Sequence, residues 1–118
     1  MSKHNELGKA GEREALAYLK KKGYVIRHTN WRYGYLELDI VAEKDGLLIV
    51  AEIKTRSTLA FQHPEEAVGR KKMRNIVKAA HEYVLKFDWQ GETRFDILSV
   101  VPRGKIFEIE QIEDAFST

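Results

Sequence analysis

Asp39, Glu52 and Lys54 stand close together in the chain, and their side chains are of types that can hold a divalent cation and act on a phosphate. Asp45-Gly46 lies between them and favours a tight hairpin turn, because both residues tolerate positive φ. With a two-residue loop at that point, the register places Asp39 opposite Glu52, and Glu37 opposite Lys54. Side chains alternate between the two faces of a strand, so these four side chains are predicted to project from one face.

The other face of this predicted hairpin is apolar and is expected to pack in the core. It carries Leu36, Leu38, Ile40, Ile49, Ala51 and Ile53. On the polar face, two carboxylates that oppose each other on neighbouring strands repel, which destabilises the fold unless something offsets the charge. A divalent cation would offset it. The alternative is a cross-strand salt-bridge cluster on a solvated face, in which Glu37 pairs with Lys54.

Glu12 adds a third candidate carboxylate. Residues 5–22 predict a helix that ends at Gly23, and Glu12 lies in the middle of the apolar face formed with Ala15 and Leu19. A carboxylate in that position is costly unless it is paired or bound to a metal. The alternative is that Glu12 lies near the helix start, where a negative charge is favoured and can still reach water.

These side chains together suit the hydrolysis of phosphodiesters. Carboxylates and a backbone carbonyl are the oxygen ligands that Mg²⁺ or Mn²⁺ prefers. A metal held by them could polarise a phosphoryl oxygen and lower the pKa of a bound water. Lys54 could position that water or neutralise charge that builds on the phosphate.

The remaining segments predict an α/β sandwich with a mixed sheet. The predicted elements are a helix over residues 5–22, a strand Tyr24–Trp31, the hairpin Tyr35–Arg56, a helix from Pro64 to Phe87, strands Thr93–Val101 and Lys105–Glu110, and a short C-terminal helix. The resulting order is α-β-β-β-α-β-β. Hairpins make antiparallel pairs, whereas the helical crossover favours a parallel pair, so the sheet should be mixed.

Composition limits the class of protein. The 118 residues predict one domain, residues 1–118, with 43% hydrophobic and 32% charged residues. There is no cysteine, which excludes disulfides and thiolate metal sites. The chain has no apolar run long enough to cross a bilayer and no signal-type N-terminus, so no membrane association and a cytoplasmic location are expected. A net charge of +2 permits nucleic-acid binding without requiring it.

Basic residues could contact a nucleic acid at two places. Arg70, Arg74 and Lys78 form a stripe with helical spacing that could follow a phosphate backbone, although charged stripes are more often solvated helix faces. Thr55 and Arg56 lie just past the acidic residues and could hold a phosphate. An ordinary polar strand end explains Thr55 and Arg56 equally well.

Aromatic residues and one further acid also have two readings. Trp31, Tyr33 and Tyr35 could stack on bases, but packing in the core or at its rim is the commoner use of such side chains. Asp96 follows Phe95 in a predicted strand, and it either supports the site or accepts structural hydrogen bonds.

The pattern Asp39, then Glu52-Ile53-Lys54 resembles the PD-(D/E)xK nuclease signature. More of the chain resembles the YraN-type bacterial family, whose fold is similar to that of archaeal Holliday-junction resolvases. The matching motifs are Gly8-x-x-Gly11-Glu12, Tyr18-Leu19 with Gly23-Tyr24, Asn30-Trp31-Arg32, Glu37-x-Asp39, Glu52-x-Lys54-Thr55-Arg56, Pro64-x-Glu66-Ala67-Val68 and Arg94-Phe95-Asp96.

This resemblance implies a restriction-endonuclease-like fold and a role for each matched residue. Asp39, Glu52 and the backbone carbonyl of Ile53 would bind the metal, together with Glu12 from the helix. Lys54 would be the catalytic lysine beside Asp39 and Glu52. Two positions depart from the pattern: Leu38 stands where the signature has proline, and Leu36 stands where the family usually has glycine.

The sequence therefore predicts a nuclease that hydrolyses DNA with Mg²⁺ or Mn²⁺. By analogy with resolvases alone, the DNA would be branched or structured and the protein could act as a homodimer. The predicted nucleic-acid contacts are Arg32, Arg56, Arg70, Arg74 and Lys78. The alternatives are a nucleic-acid-binding module of the same fold without turnover, and an interaction protein that keeps an acidic cluster without either activity.

Overall fold

The computed structural model describes residues 3–56 and 68–117, which form two helices and five strands. In chain order these are α1 (Lys3–Lys21), β1 (Val25–Tyr33), β2 (Leu36–Lys44), β3 (Leu47–Thr55), α2 (Arg70–Phe87), β4 (Thr93–Arg103) and β5 (Ile106–Phe116). The predicted α/β class and the order α-β-β-β-α-β-β are confirmed. No helix in this part of the chain is both long enough and apolar enough to span a membrane.

The strands form one mixed sheet in the order β1-β2-β3-β4-β5. β3 and β4 run parallel, whereas the other neighbouring pairs of the sheet are antiparallel. Tight turns join the antiparallel neighbours, and the chain returns to β4 through α2, a crossover that permits parallel pairing. The predicted mixed sheet is confirmed.

The predicted turn between β2 and β3 is confirmed in its position, and the predicted register is confirmed as far as Ile40 and Ala51. Asp45 and Gly46 have φ values of 52° and 80°, the left-handed conformations that a two-residue hairpin loop requires. Lys44 pairs with Leu47, and the pairing continues back to Ile40 and Ala51 but does not extend to Glu37 and Lys54. The next two residues outward are therefore Asp39 and Glu52.

The two helices cover opposite faces of the sheet. The cluster against α1 contains Ala15, Leu19, Tyr24, Ile40, Ala42, Ile49, Ala51, Leu98 and Val100. The cluster against α2 contains Leu36, Leu38, Val41, Leu48, Val50, Val68, Ile76, Ala79, Ala80, Tyr83, Phe95 and Ile97. Ile49 and Val50 are adjacent in β3 yet belong to different clusters, as expected for a strand buried on both faces.

The prediction of a single apolar hairpin face is wrong. Leu36 and Leu38 pack in the cluster against α2, whereas Ile40 packs against α1. Side chains of β2 stop alternating regularly between the two faces of the sheet between Leu38 and Ile40. At this point β2 is no longer paired with β3, although it is still paired with β1. Across on β1, Asn30 has a φ of 50°, which marks the same irregular point.

Two predicted helix boundaries also differ from the structure. Pro64 lies outside the described residues, but α2 begins at Arg70 after Gly69, whose extended backbone (φ −70°, ψ 165°) rules out a helix that runs unbroken from Pro64 to Phe87. The predicted C-terminal helix is wrong, because β5 continues to Phe116. There, the ring of Phe116 stacks on the ring of Phe95 in β4, with 5.2 Å between the ring centroids. The prediction of a helix used only the local sequence and did not include this contact.

Candidate active site

The candidate site lies where β2 and β3 separate. Asp39 and Glu52 follow the last paired residues of the two strands, and the backbone N–H of Ile53 donates a hydrogen bond of 2.9 Å to Oδ2 of Asp39. This bond bridges the gap between the strands and holds the Asp39 carboxylate at their open end. The structure thus brings Asp39 and Glu52 together as the register predicts.

Glu52 is buried, with 7% of its surface exposed. Burial raises the pKa of its carboxyl group to about 9, and a hydrogen bond to Asp39 and the negative charge of Asp39 act in the same direction. The Lys72 ammonium lowers the pKa of Glu52, but its effect is smaller than that of burial. A pKa of about 9 means that the Glu52 carboxyl group holds its proton at neutral pH.

Glu12 approaches Asp39 from α1. Partial burial raises the pKa of Glu12, and the charges of Asp39 and Glu37 raise it further, while a hydrogen bond with Asn30 lowers it. Glu12 and Asp39 line one cavity of about 440 Å³. The sequence predicted that Glu12 lies on the apolar face of α1. In the structure this face is turned toward the sheet, beside the acid pair.

Gly11 sets how closely α1 approaches the site. A Cβ atom at this buried glycine would overlap Oγ1 of Thr55 and lie 2.9 Å from its Cγ2. Thr55 is the last residue of β3, one residue beyond Lys54. The glycine therefore lets the helix that carries Glu12 pack directly on the strand that carries Glu52 and Lys54.

The predicted metal ligands fit a divalent cation by chemistry but are not gathered into one compact group. Asp39 and Glu52 offer hard oxygen atoms, and a cation beside them would favour the ionised form of the buried Glu52 carboxyl group. Ile53 borders the cavity that contains Glu12 and Asp39. Nevertheless, within residues 3–56 and 68–117, no set of three or more Asp, Glu or His side chains is arranged to hold a metal ion.

Lys54 lies between two cavities. It borders the cavity of Glu12 and Asp39, and also a cavity of about 360 Å³ that contains Glu52. Its suggested partner Glu37 instead forms an ion pair of 2.9 Å with Arg32 and accepts a hydrogen bond of 3.0 Å from Asn30. The alternative reading of Glu37 as the partner of Lys54 is therefore wrong, and in the described part of the chain Lys54 has no ion pair.

Lys72 is the basic residue of the site that sequence reasoning did not single out. Its position on α2 places it in one cavity with Asp39 and in another with Glu52, and its charge acts on the Glu52 carboxyl group. One feature of the sequence could have placed Lys72 near the site, namely its spacing from Ile76. Ile76 is buried and lies four residues later, and residues with this spacing share a helix face. In the sequence, Lys72 stands beside the basic stripe of Arg70, Arg74 and Lys78, where a lysine is usually solvated.

The residues predicted to contact nucleic acid are spread over the surface. Arg70, Arg74 and Lys78 are exposed on α2, and Arg32 is exposed at the end of β1 but already paired with Glu37. Arg56 is half-buried after β3, and its backbone N–H donates a hydrogen bond of 3.0 Å to the carbonyl of Val100.

The aromatic candidates divide between the core and the surface. The Trp31 ring packs edge-on against Tyr83 at 5.1 Å between centroids, which confirms the core reading for Trp31. Tyr33 and Tyr35 flank the turn between β1 and β2 and are 43% and 84% exposed. Of the two, Tyr35 lines a cavity together with Asp39 and Lys72.

Asp96 is a structural hydrogen-bond acceptor. Its carboxylate is fully buried and accepts two hydrogen bonds of 2.8 Å from Arg94, one of 2.9 Å from Gln111, and one of 3.0 Å from the backbone N–H of Asp114. Tyr24 accepts further hydrogen bonds from Arg94 and Gln111. The second of the two readings of Asp96 is thus confirmed.

Comparison with known proteins adds a family but no activity. Residues 11–100 match the profile of UPF0102, described as an uncharacterised protein family. The chain is 50% identical to a UPF0102 protein of Bacteroides thetaiotaomicron and 52% identical to one of Phocaeicola vulgatus, in each case over 98% of this chain and 96% of the relative. A UPF0102 protein of Flavobacterium psychrophilum is 46% identical over 98% of both chains.

Proposed function

The chain belongs to the uncharacterised protein family UPF0102, and we propose that it is a metal-dependent nuclease that hydrolyses DNA phosphodiester bonds where β2 and β3 separate. The observation that carries the proposal is the buried acid pair of Asp39 and Glu52 beside Lys54. The proposal includes membership of the restriction-endonuclease-like superfamily, as the YraN-type resemblance implies.

The burial of Glu52 favours a functional acid pair over a solvated salt-bridge cluster. A carboxyl group that is 7% exposed is costly to ionise, and its neighbour Asp39 adds to the cost. An ordinary surface cluster would keep both groups in water and would place a cation beside each of them. A site that takes up a divalent cation on demand explains why the two acids are held together.

Each residue of the site has a role in this proposal. Asp39 and Glu52 would hold Mg²⁺ or Mn²⁺, with Glu12 and the carbonyl of Ile53 as further ligands. The bound cation would supply Lewis acidity at a phosphoryl oxygen and a lower pKa for an attacking water. Lys54 neutralises the charge that develops on the phosphate, from a position between the two acid-lined cavities.

The exposed basic residues would hold the DNA backbone near this site. Arg70, Arg74 and Lys78 present an exposed row on α2, the same helix that places Lys72 beside the acids. Arg32 and Arg56 would add contacts at the ends of β1 and β3. Branched or structured DNA is the proposed substrate on the analogy with resolvases.

The deciding experiment measures cleavage of fluorescent forked and four-way DNA by the full chain with Mg²⁺ or Mn²⁺. We expect Asp39→Asn and Glu52→Gln to abolish cleavage and to abolish metal binding measured by calorimetry in the presence of DNA. Glu52→Gln preserves the shape and neutral charge of the protonated side chain, so it should fold normally. Glu12→Gln should reduce cleavage, while Glu14→Gln, an exposed acid on the same helix, should not.

Cleavage that persists unchanged in Glu52→Gln would overturn the proposal, because it would come from another site or another protein. A lack of metal binding both with and without DNA would also overturn it.

A non-catalytic DNA-binding module is the second candidate. It is favoured by one observation, namely that the acids of residues 3–56 and 68–117 do not form a three-member group arranged for a metal. This candidate predicts DNA binding that persists in EDTA, weakens as salt is raised, and does not change in Glu52→Gln.

A further inference from the structure

We propose that a cavity between the β1–β2 turn and α2 binds an unpaired nucleobase of the substrate, next to the bond that is cut. The cavity has a volume of about 280 Å³, and its lining includes Tyr35, Asp39, Lys72 and Asn75. This inference rests on the proposed function, because Asp39 connects the cavity with the acid pair.

Tyr35 supplies a flat aromatic face to the cavity. It follows Gly34, whose φ of 61° turns the chain between β1 and β2, and 84% of its surface is exposed. Among the described residues, its ring has no stacking partner and its hydroxyl has no hydrogen bond. A single exposed tyrosine is ordinary, but one that borders the same cavity as a candidate metal ligand offers a stacking surface at the site.

α2 supplies the polar side of the cavity. Lys72 and Asn75 lie three residues apart and so share a helix face. The Asn75 amide can both donate and accept a hydrogen bond, which suits the edge of a base, and it has no such bond within the described residues. Lys72 can attract the phosphate that is attached to the bound nucleotide.

The charge of the cavity favours a base over a phosphate. Asp39 borders its β2 side, where its carboxylate repels a phosphate but tolerates a neutral ring, while Lys72 on the α2 side can hold the phosphate that is attached to the base. Within a duplex, the face of a base is covered by its neighbours and its pairing edge is occupied. The ring of Tyr35 therefore selects a nucleotide that is already unpaired, such as one at a fork or in a single strand.

Tyr33 provides a matched control. It is the last residue of β1, two residues before Tyr35, and is 43% exposed, but it borders a different cavity with Trp31 and Arg32. A general effect of removing an exposed aromatic ring from this turn would appear in both variants. An effect confined to Tyr35 would report the cavity beside Asp39.

The test measures binding of fluorescently labelled oligothymidylate and of a fully paired DNA duplex by the full chain in EDTA, using fluorescence anisotropy. We expect Tyr35→Ala to weaken oligothymidylate binding about tenfold or more, which is the usual loss for one stacked base. Duplex affinity should change by less than about twofold, and Tyr33→Ala should match wild type on both ligands. Tyr35→Trp should retain binding, and Asn75→Ala should weaken it.

Each other result overturns the inference. Wild-type protein that fails to bind oligothymidylate has no such base site, and equal losses on the single strand and the duplex would mean a general contact. Unchanged oligothymidylate binding in Tyr35→Ala would also overturn the inference, even if cleavage that depends on Glu52 is observed. Conversely, selective loss in Tyr35→Ala without any cleavage would support the base site and count against the nuclease.

Discussion

The raised pKa of the buried Glu52 carboxyl group is the most consequential feature at the scale of single residues. Burial and the neighbouring acid raise the pKa of Glu52 to about 9 in the folded protein, whereas an ordinary glutamate has a pKa near 4.5. Between these two pH values the folded protein keeps a proton that the unfolded chain has released. The folded state therefore loses stability as pH rises through this window. A bound dication would remove that cost by taking the place of the proton.

We predict a pH-dependent difference in stability between wild type and Glu52→Gln. In metal-free buffer, the free energy of unfolding of wild type should fall relative to that of the variant as pH rises from 5 to 9, by at most about 1.4 kcal/mol per pH unit for one proton. Urea unfolding at several pH values measures this difference. A constant difference across that range would show that Glu52 has an ordinary pKa.

At the scale of elements, the contact between α1 and β3 decides where Glu12 lies. Gly11 packs against Thr55 without room for a side chain, whereas a Cβ atom at Gly8, one turn earlier, would meet nothing within 4 Å. Because threonine is stiff at χ1, it has little freedom to move aside. The helix would have to shift instead, and Glu12 with it.

We predict opposite effects of alanine at these two glycines. Gly11→Ala should destabilise the protein by about 1–3 kcal/mol through overpacking and should lower cleavage by displacing Glu12. Gly8→Ala should be neutral or stabilising by up to about 1 kcal/mol, because alanine favours the helix. Thermal unfolding and cleavage assays on both variants measure these effects, and equal behaviour of the two variants would contradict the close packing at Gly11.

The sequence predicted the hairpin register, and with it the meeting of Asp39 and Glu52, because Asp45-Gly46 fixes a local turn. It could not predict that Leu38 and Ile40 face opposite sides of the sheet, since both faces are apolar there and the pattern fits either. The role of Lys72 and the extent of β5 were also missed. The extent of β5 depends on the contact of Phe116 with Phe95, and the role of Lys72 depends on how α2 lies against β2 and β3, which its helical spacing from Ile76 does not report by itself.

At the scale of the whole molecule, the Asp96 network joins the C-terminal strand to the rest of the fold. Asp96 on β4 binds Arg94 and the β5 residues Gln111 and Asp114, while Arg94 and Gln111 both reach Tyr24 near the end of α1. Each buried polar group thereby has a partner, as a satisfied network requires. The network fixes the edge strand against the centre of the molecule.

We predict that Asp96→Ala costs about 2–4 kcal/mol of stability, because it leaves Arg94 paired with the exposed Glu113 alone and the Asp114 N–H without its acceptor. Glu108→Ala is the matched control, since Glu108 also pairs with an arginine, Arg103, at 3.0 Å, but with both side chains more than half exposed. Its cost should be about 1 kcal/mol or less. Urea unfolding compares the two, and similar losses would contradict a special role for the buried network.

The parallel pairing of β3 with β4 has a consequence for how the protein is made. Tight turns let the segments on either side of α2 form their hairpins early, whereas the β3–β4 contact must wait for a long loop to close. On the ribosome, the hairpin with Asp39 and Glu52 emerges before α2 and β4 have been synthesised. We expect the Glu52 carboxyl group to be ionised in that nascent chain and to take up a proton only when the second half docks and buries it.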